Sequence, residues 1–171
     1  MKVLLCGEFA AGEEAVWRRA LGAAMPEATW LDQAAALAAP TEVQAAVVAN
    51  PPPGSLQGLP QLRLIQSLWA GVDRLLADPT LPADVPIARM VDPAMNAAMA
   101  ETALWAVLAL HRGFFEYAQR QRESRWQAHA QQRADEVPVL VLGQGQMGQA
   151  AAARIAQQGY PVTGWRRDGT P

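Results

Sequence analysis

The sequence predicts an α/β protein built on a parallel β-sheet with helices on both faces. Two observations carry this prediction. Short apolar runs suited to buried strands occur at residues 2–6, 28–31, 45–50, 62–68 and 85–90. Residues with helical spacing lie between the first of these runs, at 12–24 and 32–39. Strands that alternate with helices over such short distances are typical of parallel sheets.

Composition narrows the class of protein. The chain has 171 residues, a formal net charge of −2 and 51% hydrophobic residues, so it can bury a core and gives no general argument for nucleic acid or membrane as a partner. The single cysteine, Cys6, is expected to be a small buried residue on the first strand. His111 and His129 are too few to indicate a metal site. The apolar stretch at the N-terminus is too short for a signal peptide, so a cytoplasmic location is expected.

Ligands of parallel sheets bind beyond the carboxyl ends of the strands. The segments in those positions read GEFAAGE, NPPPG, WAGVD and VDPAMN. Substrate contacts are therefore expected there.

A different pattern begins near Ala97, where a helix is predicted to continue to Arg125. Its apolar positions form a wide stripe that comprises Met99, Leu104, Val107, Leu108, His111, Phe114 and Phe115. A helix this apolar is expected to lie between domains or to pack against another chain. The polar segment at 127–138 is expected to be a surface connection.

The stretch VLVLGQGQMGQAAAARIAQQGYPVTGW contains a glycine pattern with a defined mechanism. Gly143, Gly145 and Gly148 follow a predicted strand and open a predicted helix, with a second strand beyond. The first glycine permits a tight turn, the second admits a pyrophosphate, and the third lets the helix pack close to the strand. Gln146 and Met147 then lie at a helix N-terminus, whose free N–H groups attract phosphate. The pattern predicts dinucleotide binding, and the alternative is a turn kept only for packing.

The end of the second strand indicates which dinucleotide binds. An acidic residue there would hold the ribose hydroxyls of NAD, whereas this chain has Trp165, Arg166 and Arg167. Two guanidinium groups suit the 2′-phosphate of NADP, so NADP is favoured over NAD. Asp168 comes late and beside two arginines, so it is not expected to replace the acid. The alternative is a solvated basic loop.

The order of these segments resembles the D-isomer-specific 2-hydroxyacid dehydrogenase family, and within it the branch of glyoxylate/hydroxypyruvate reductase A. The similar stretches are NPPPGSLQGLPQLRLIQSLWAGVDRLL, VPIARMVDPAMNAAMAETALWAVLALHR, SRWQ, LGQGQMG and GWRR, which together cover essentially the whole chain. The resemblance implies a flavodoxin-like substrate domain at 1–95, a linking helix at 96–126 and the first part of a Rossmann NAD(P)-binding domain at 127–171. It also implies a homodimer that pairs through the linking helix and the cofactor domain.

The resemblance implies a function as well: NADPH-dependent reduction of small 2-oxo acids to D-2-hydroxy acids. The substrate carboxylate would be held by backbone N–H groups of Ala70, Gly71 and Val72, with Trp69 beside them. The family's catalytic arginine, histidine and carboxylate would lie beyond Pro171. No catalytic residue is therefore assigned, and the chain alone is expected to be inactive.

Two alternatives stay open. The first is a non-catalytic module that binds nucleotide or pairs through the helix at 97–125. The second is another enzyme with a glycine-rich first turn, such as a methyltransferase, although Trp165–Arg167 argues against it because an acid usually holds the adenosine ribose.

Overall fold

A computed structural model describes residues 1–167 of the chain. The chain divides into two compact units, Met1–Val91 and Asp92–Pro171. Each unit has its own parallel sheet, as the alternation of strands and helices predicts.

The first unit contains a five-stranded parallel sheet. Its strands are β1 (Lys2–Gly7), β2 (Thr29–Leu31), β3 (Val43–Ala49), β4 (Leu64–Ser67) and β5 (Ile87–Ala88). Its helices are α1 (Glu13–Ala24), α2 (Gln33–Ala38) and α3 (Asp73–Leu76). The strand order is β2-β1-β3-β4-β5, which is the flavodoxin-like order of doubly wound sheets. The predicted fold class of this unit is confirmed.

The sheet is covered on both faces because β1 and β3 carry consecutive apolar residues, at 3–6 and 45–49, whose side chains alternate between the two faces. Leu4 and Cys6 of β1 face one core, which α2 and α3 cover through Ala36 and Leu75. The alternate residues of β1, Val3 and Leu5, face a second core. Three tryptophans, Trp17 of α1, Trp30 of β2 and Trp69 after β4, pack against that second core. The covering helices therefore change face between β1 and β3, and the strand order reverses at the same place.

Burial makes the thiol of Cys6 unreactive. Its side chain is 7% exposed, and desolvation raises the pKa of the thiol to about 12. We expect a disulfide reagent such as Ellman's reagent to modify Cys6 only when β1 opens, because the thiolate is the reactive form. The rate of labelling at pH 8, measured by absorbance after stopped-flow or manual mixing, checks this. The same chain in concentrated urea is the control. Labelling as fast in buffer as in urea would contradict the burial of Cys6.

The second unit contains a β-α-β motif preceded by two helices. The helices are α4 (Pro93–His111), α5 (Phe114–Arg122) and α6 (Gln146–Ala156), and the strands are β6 (Val139–Leu142) and β7 (Val162–Trp165). β6 and β7 form a parallel pair joined through α6. Small residues bring α4 and α6 together: Ala97 and Ala100 line the same crevice as Ala150 and Ala153.

The single helix expected over 97–125 is wrong in two respects. The helix begins earlier, at Pro93, where Asp92 caps it by accepting a hydrogen bond from the Ala94 N–H (2.9 Å). It is also broken, because Gly113 adopts a left-handed conformation (φ 66°) between α4 and α5. The strand expected over 85–90 is likewise shorter, since only Ile87 and Ala88 pair with β4.

The apolar stripe on these helices is only partly covered, since Leu104, Val107, Leu108 and His111 are half-buried and its other members are exposed. Only Ala100 and Ala109 of α4 are buried, whereas Trp105, Phe114 and Phe115 are more than half exposed. By length and composition α4 could cross a membrane, which one such helix indicates only weakly. It carries Glu101 in its middle and packs along α6, so core packing accounts for part of its apolar surface.

The face of the β6–β7 pair is also partly open. Leu140 and Leu142 point to one side of β6, and they are 59% and 72% exposed. The intervening Val139 and Val141 are half-buried. This alternation is the pattern of a strand with one covered face.

Candidate functional site

The turn after β4 is held from three sides. The buried Ser67 hydroxyl accepts a hydrogen bond from the Trp69 N–H (3.0 Å). The Trp69 carbonyl accepts from the Met90 N–H (3.2 Å), and the Ala70 carbonyl accepts from Nη1 of Arg89 (3.1 Å). The turn is therefore fixed by its carbonyls and by Ser67.

The N–H groups of the same turn have no such partners. Within residues 1–167, the N–H groups of Ala70, Gly71 and Val72 donate no hydrogen bond. Ala70 and Val72 are half-buried and Gly71 is exposed, so a ligand can reach these donors. Adjacent unpaired N–H groups in a turn form an anion-binding concavity. The structure thus brings together the three backbone groups that the sequence singles out for a carboxylate.

Charged side chains surround this turn. Arg74 of α3 makes a bidentate ion pair with Glu8, with Nη1 and Nη2 at 2.7 and 2.6 Å from the two carboxylate oxygens. This hydrogen-bonded arginine lowers the pKa of Glu8 below its ordinary value. Arg74 is therefore already neutralised by Glu8. Arg89 takes part in no ion pair among the described residues.

Trp69 occupies a position between core and turn. Its ring is half-buried and packs against the second core of the first unit, beside Leu68. Its backbone carries two of the hydrogen bonds that fix the turn, to Ser67 and from Met90. Asp73 is the first residue of α3.

The glycine-rich segment has the conformation that its spacing predicts. Gly143 follows β6 with φ 93°, a left-handed value that turns the chain sharply toward α6. A Cβ built on Gly148 would lie 1.8 Å from the Gly143 carbonyl oxygen, so only glycine permits this approach of helix to strand. A Cβ built on Gly145 would meet nothing within 4 Å. Space is therefore open over the second glycine, as close approach of a pyrophosphate requires.

The start of α6 presents unpaired donors toward that space. Gly145 is the N-cap, no side chain caps the helix, and its first turn contains no acidic residue. In the described part of the chain, Gln146, Met147 and Gly148 donate no backbone hydrogen bond; the first such bond runs from Gln149 N–H to the Gly145 carbonyl (2.9 Å). These donors and the helix dipole suit phosphate.

The end of β7 lies beside the glycine-rich turn. The Gly143 N–H donates to the Trp165 carbonyl (2.9 Å), which ties the two together. The Trp165 ring is half exposed, and Arg166 and Arg167 are exposed. Both guanidinium groups are free of ion pairs within residues 1–167. Asp168 lies outside the described residues.

Sequence reasoning missed one contact in this region. Gly164 of β7 leaves room for the side chain of Gln144, since a Cβ there would lie 2.5 Å from the Gln144 Cδ. The Gln144 amide donates to the Val141 carbonyl (3.2 Å). The glycine pattern treats this position as variable, so no signal in the sequence indicates the contact. The hydrogen bond from Arg89 to Ala70 also has no signal in the sequence, because the two residues are 19 positions apart.

The two histidines occupy structural positions. Nδ1 of His111 lies 2.7 Å from the hydroxyl of the buried Tyr160, and Nε2 lies 3.1 Å from the Gln132 carbonyl. His129 packs against the Tyr117 ring, with the ring centroids 4.8 Å apart. In the part of the chain that the structure describes, no group of three histidine, cysteine or acidic residues could hold a metal ion.

A flavodoxin-like sheet together with a dinucleotide-type glycine turn defines the chain as a two-unit α/β protein of the nucleotide-binding class. Comparisons with known proteins specify the class further. The family described as D-isomer specific 2-hydroxyacid dehydrogenase, NAD binding domain, matches residues 104–171. A glyoxylate/hydroxypyruvate reductase A of Klebsiella pneumoniae subsp. pneumoniae is 35% identical over 127 residues, which are 71% of this chain and 40% of that protein.

Solved structures of similar fold come from the same family. A D-isomer specific 2-hydroxyacid dehydrogenase from Xanthobacter autotrophicus Py2, in complex with NADPH and MES, is 38% identical with a TM-score of 0.84. That similarity covers 99% of this chain and 54% of that one. An NADPH-dependent glyoxylate/hydroxypyruvate reductase from Sinorhizobium meliloti, in complex with NADP and sulfate, is 31% identical with a TM-score of 0.83, over 99% of this chain and 54% of that one.

In sequence and in fold the chain is thus similar to the D-isomer-specific 2-hydroxyacid dehydrogenase family. It spans about half the length of the relatives it matches.

Proposed function

We propose that this chain carries the substrate-carboxylate turn and the first part of the NADP site of a reductase. The reaction is the reduction of small 2-oxo acids, of the glyoxylate or hydroxypyruvate type, to D-2-hydroxy acids. The observation that carries the proposal is the glycine-rich turn. Within residues 1–167 it combines open space over Gly145 with unpaired N–H groups, and two exposed arginines follow the next strand.

The residues of the chain fit a dinucleotide. The N–H groups of Gln146, Met147 and Gly148 would hold the pyrophosphate, while Arg166 and Arg167 would hold the 2′-phosphate. When bound, the cofactor supplies a hydride to the ketone carbon. The relatives from X. autotrophicus and S. meliloti, whose structures contain NADPH or NADP, support the choice of NADP.

The first unit would bind the 2-oxo acid. The N–H groups of Ala70, Gly71 and Val72 would bind the carboxylate of the 2-oxo acid and so fix the orientation of its ketone. The pair of Arg74 and Glu8 would keep the start of α3, and with it the turn, in place. We assign no residue of this chain to proton transfer. That the protein forms a homodimer and that it is located in the cytoplasm stay predictions.

Cofactor preference gives the direct test. Replacing Arg166 or Arg167 by glutamine is expected to weaken NADPH binding about 10- to 100-fold, because a charge-assisted contact to phosphate is lost. NADH binding is expected to stay unchanged, since NADH lacks that phosphate. Titrations followed by nicotinamide fluorescence or by calorimetry measure both.

Arg154→Gln provides the matched control, because it removes the same charge from the last turn of α6. Equal binding of NADPH and NADH by the unmodified chain would contradict the NADP assignment. Binding of neither cofactor would contradict a cofactor site formed by these residues alone.

A second candidate is a non-catalytic module that pairs through α4 and α5. The exposed rings favour it: Trp105 and Phe115 are 58% and 57% exposed and meet edge to face with centroids 6.1 Å apart. Large exposed apolar side chains in one patch indicate an interaction surface. A chain that binds NADPH but stays monomeric at high concentration in sedimentation would exclude pairing.

A further inference from the structure

Arg89 approaches the turn after β4 in a way that no motif predicts. Its Nη1 donates to the Ala70 carbonyl at 3.1 Å, and the next residue, Met90, donates its N–H to the Trp69 carbonyl at 3.2 Å. Two consecutive carbonyls of the turn therefore bond to one short segment that follows β5. That segment is itself held to the sheet through the pairing of Ala88 with Gln66.

This arrangement fixes the direction of two N–H groups. In a planar trans peptide the C=O and the N–H point in opposite directions. The Ala70 carbonyl and the Gly71 N–H share one peptide, and the Trp69 carbonyl and the Ala70 N–H share the preceding one. Both N–H groups are consequently turned away from Arg89 and Met90, toward the side where they have no protein partner.

The bond from Arg89 is charge-assisted, which distinguishes it from the bond of Met90. A cation at the carbonyl oxygen polarises the peptide and makes its N–H a stronger donor. Arg89 forms no ion pair within the described residues, so no carboxylate among them neutralises its charge. The other charged groups near the turn are Asp73 and the neutralised pair of Arg74 and Glu8.

We propose that Arg89 is a positioning residue for substrate: it orients and polarises the Ala70–Gly71 peptide so that the Gly71 N–H binds the carboxylate of a 2-oxo acid. The inference rests on the proposed function, because it assigns the ligand of this turn. It adds a determinant of anion affinity that lies in the first unit, outside the turn itself.

The test follows the Gly71 amide in ¹H–¹⁵N spectra of the full 171-residue chain during titration with sodium glyoxylate. Sodium chloride at equal ionic strength serves as the blank. Arg89→Met is expected to weaken glyoxylate binding on the order of tenfold, since one charge-assisted bond is lost. Arg89→Lys, which keeps a cationic donor, is expected to lose less, about threefold.

Arg63→Met is the matched control, because this exposed arginine precedes β4 at the opposite end of the same strand. It should bind glyoxylate as the unmodified chain does. A merely structural role for Arg89 would disturb many amides of the first unit. The positioning role is expected to change the shift and the affinity at Gly71 while the rest of the spectrum is preserved.

The outcomes separate the inference from the proposed function. Unchanged affinity in Arg89→Met would overturn the inference and leave the carboxylate turn standing. Equal losses in Arg89→Met and Arg63→Met would indicate general electrostatic attraction and would also overturn it. No shift of Ala70–Val72 amides in the unmodified chain, at glyoxylate concentrations up to about 100 mM, would overturn both, because binding worth about 1.4 kcal/mol would be visible there.

Discussion

Replacing Gly148 by alanine is expected to destabilise the second unit by about 3 kcal/mol or more and to abolish NADPH binding. The new Cβ would lie 1.8 Å from the Gly143 carbonyl oxygen and 2.9 Å from its carbonyl carbon, and both are backbone atoms that cannot rotate away. α6 would have to move off β6, which would dismantle the turn over which the pyrophosphate is proposed to lie. Thermal unfolding followed by far-ultraviolet circular dichroism, together with a cofactor titration, measures the two effects.

Gly145→Ala is the matched partner of that variant. The Cβ at this position meets no atom within 4 Å, and φ is −74°, which alanine adopts readily. The variant is therefore expected to fold normally and still to lose NADPH affinity, because the methyl group occupies the space of the phosphates. Normal NADPH binding by Gly145→Ala would show that the pyrophosphate does not lie over this glycine. Normal stability of Gly148→Ala would show that the close approach is not present in solution.

The second large effect is expected at Ile65, which is fully buried in β4, the strand that leads into the turn at residues 69–72. Ile65→Ala should lower the free energy of unfolding of the first unit by about 2–5 kcal/mol, because it removes buried methylene groups and leaves a cavity in the core that also contains Leu4 and Val48. Urea unfolding followed by tryptophan fluorescence measures this. Leu64→Ala is the control on the same strand: Leu64 is 41% exposed, so its truncation should cost well under half as much. Equal losses in both variants would contradict the observed register of β4.

Local signals in the sequence were sufficient for most of the fold. Runs such as KVLLCG and AAVVAN predict buried strands, and the spacing of Gly143, Gly145 and Gly148 predicts both a tight turn and a close approach of helix to strand. These features depend on neighbouring residues, which is why periodicity and spacing reveal them.

Features that depend on distant residues were not predictable in this way. A strand expected over 85–90 pairs only at Ile87 and Ala88, since Pro86 lacks an N–H for the ladder and the following segment bonds to the turn after β4. Gly113 ends α4 although the apolar pattern continues past it, and the pattern cannot show that Phe114 and Phe115 lie at the surface. The bond from Arg89 to Ala70 joins two loops, so only the assembled sheet reveals it.

The distribution of the six tryptophans has an optical consequence. Trp17, Trp30 and Trp69 pack against one core of the first unit, whereas Trp105, Trp126 and Trp165 are 58%, 98% and 50% exposed. Indole emission shifts to longer wavelength when a ring moves from protein into water, so the first three rings should report unfolding and the other three should change little. The red shift of the whole chain would then follow the first unit almost alone. Trp165 would give a second fluorescence signal. Its proposed place beside the cofactor would let it transfer excitation energy to bound NADPH, whose emission would then report binding.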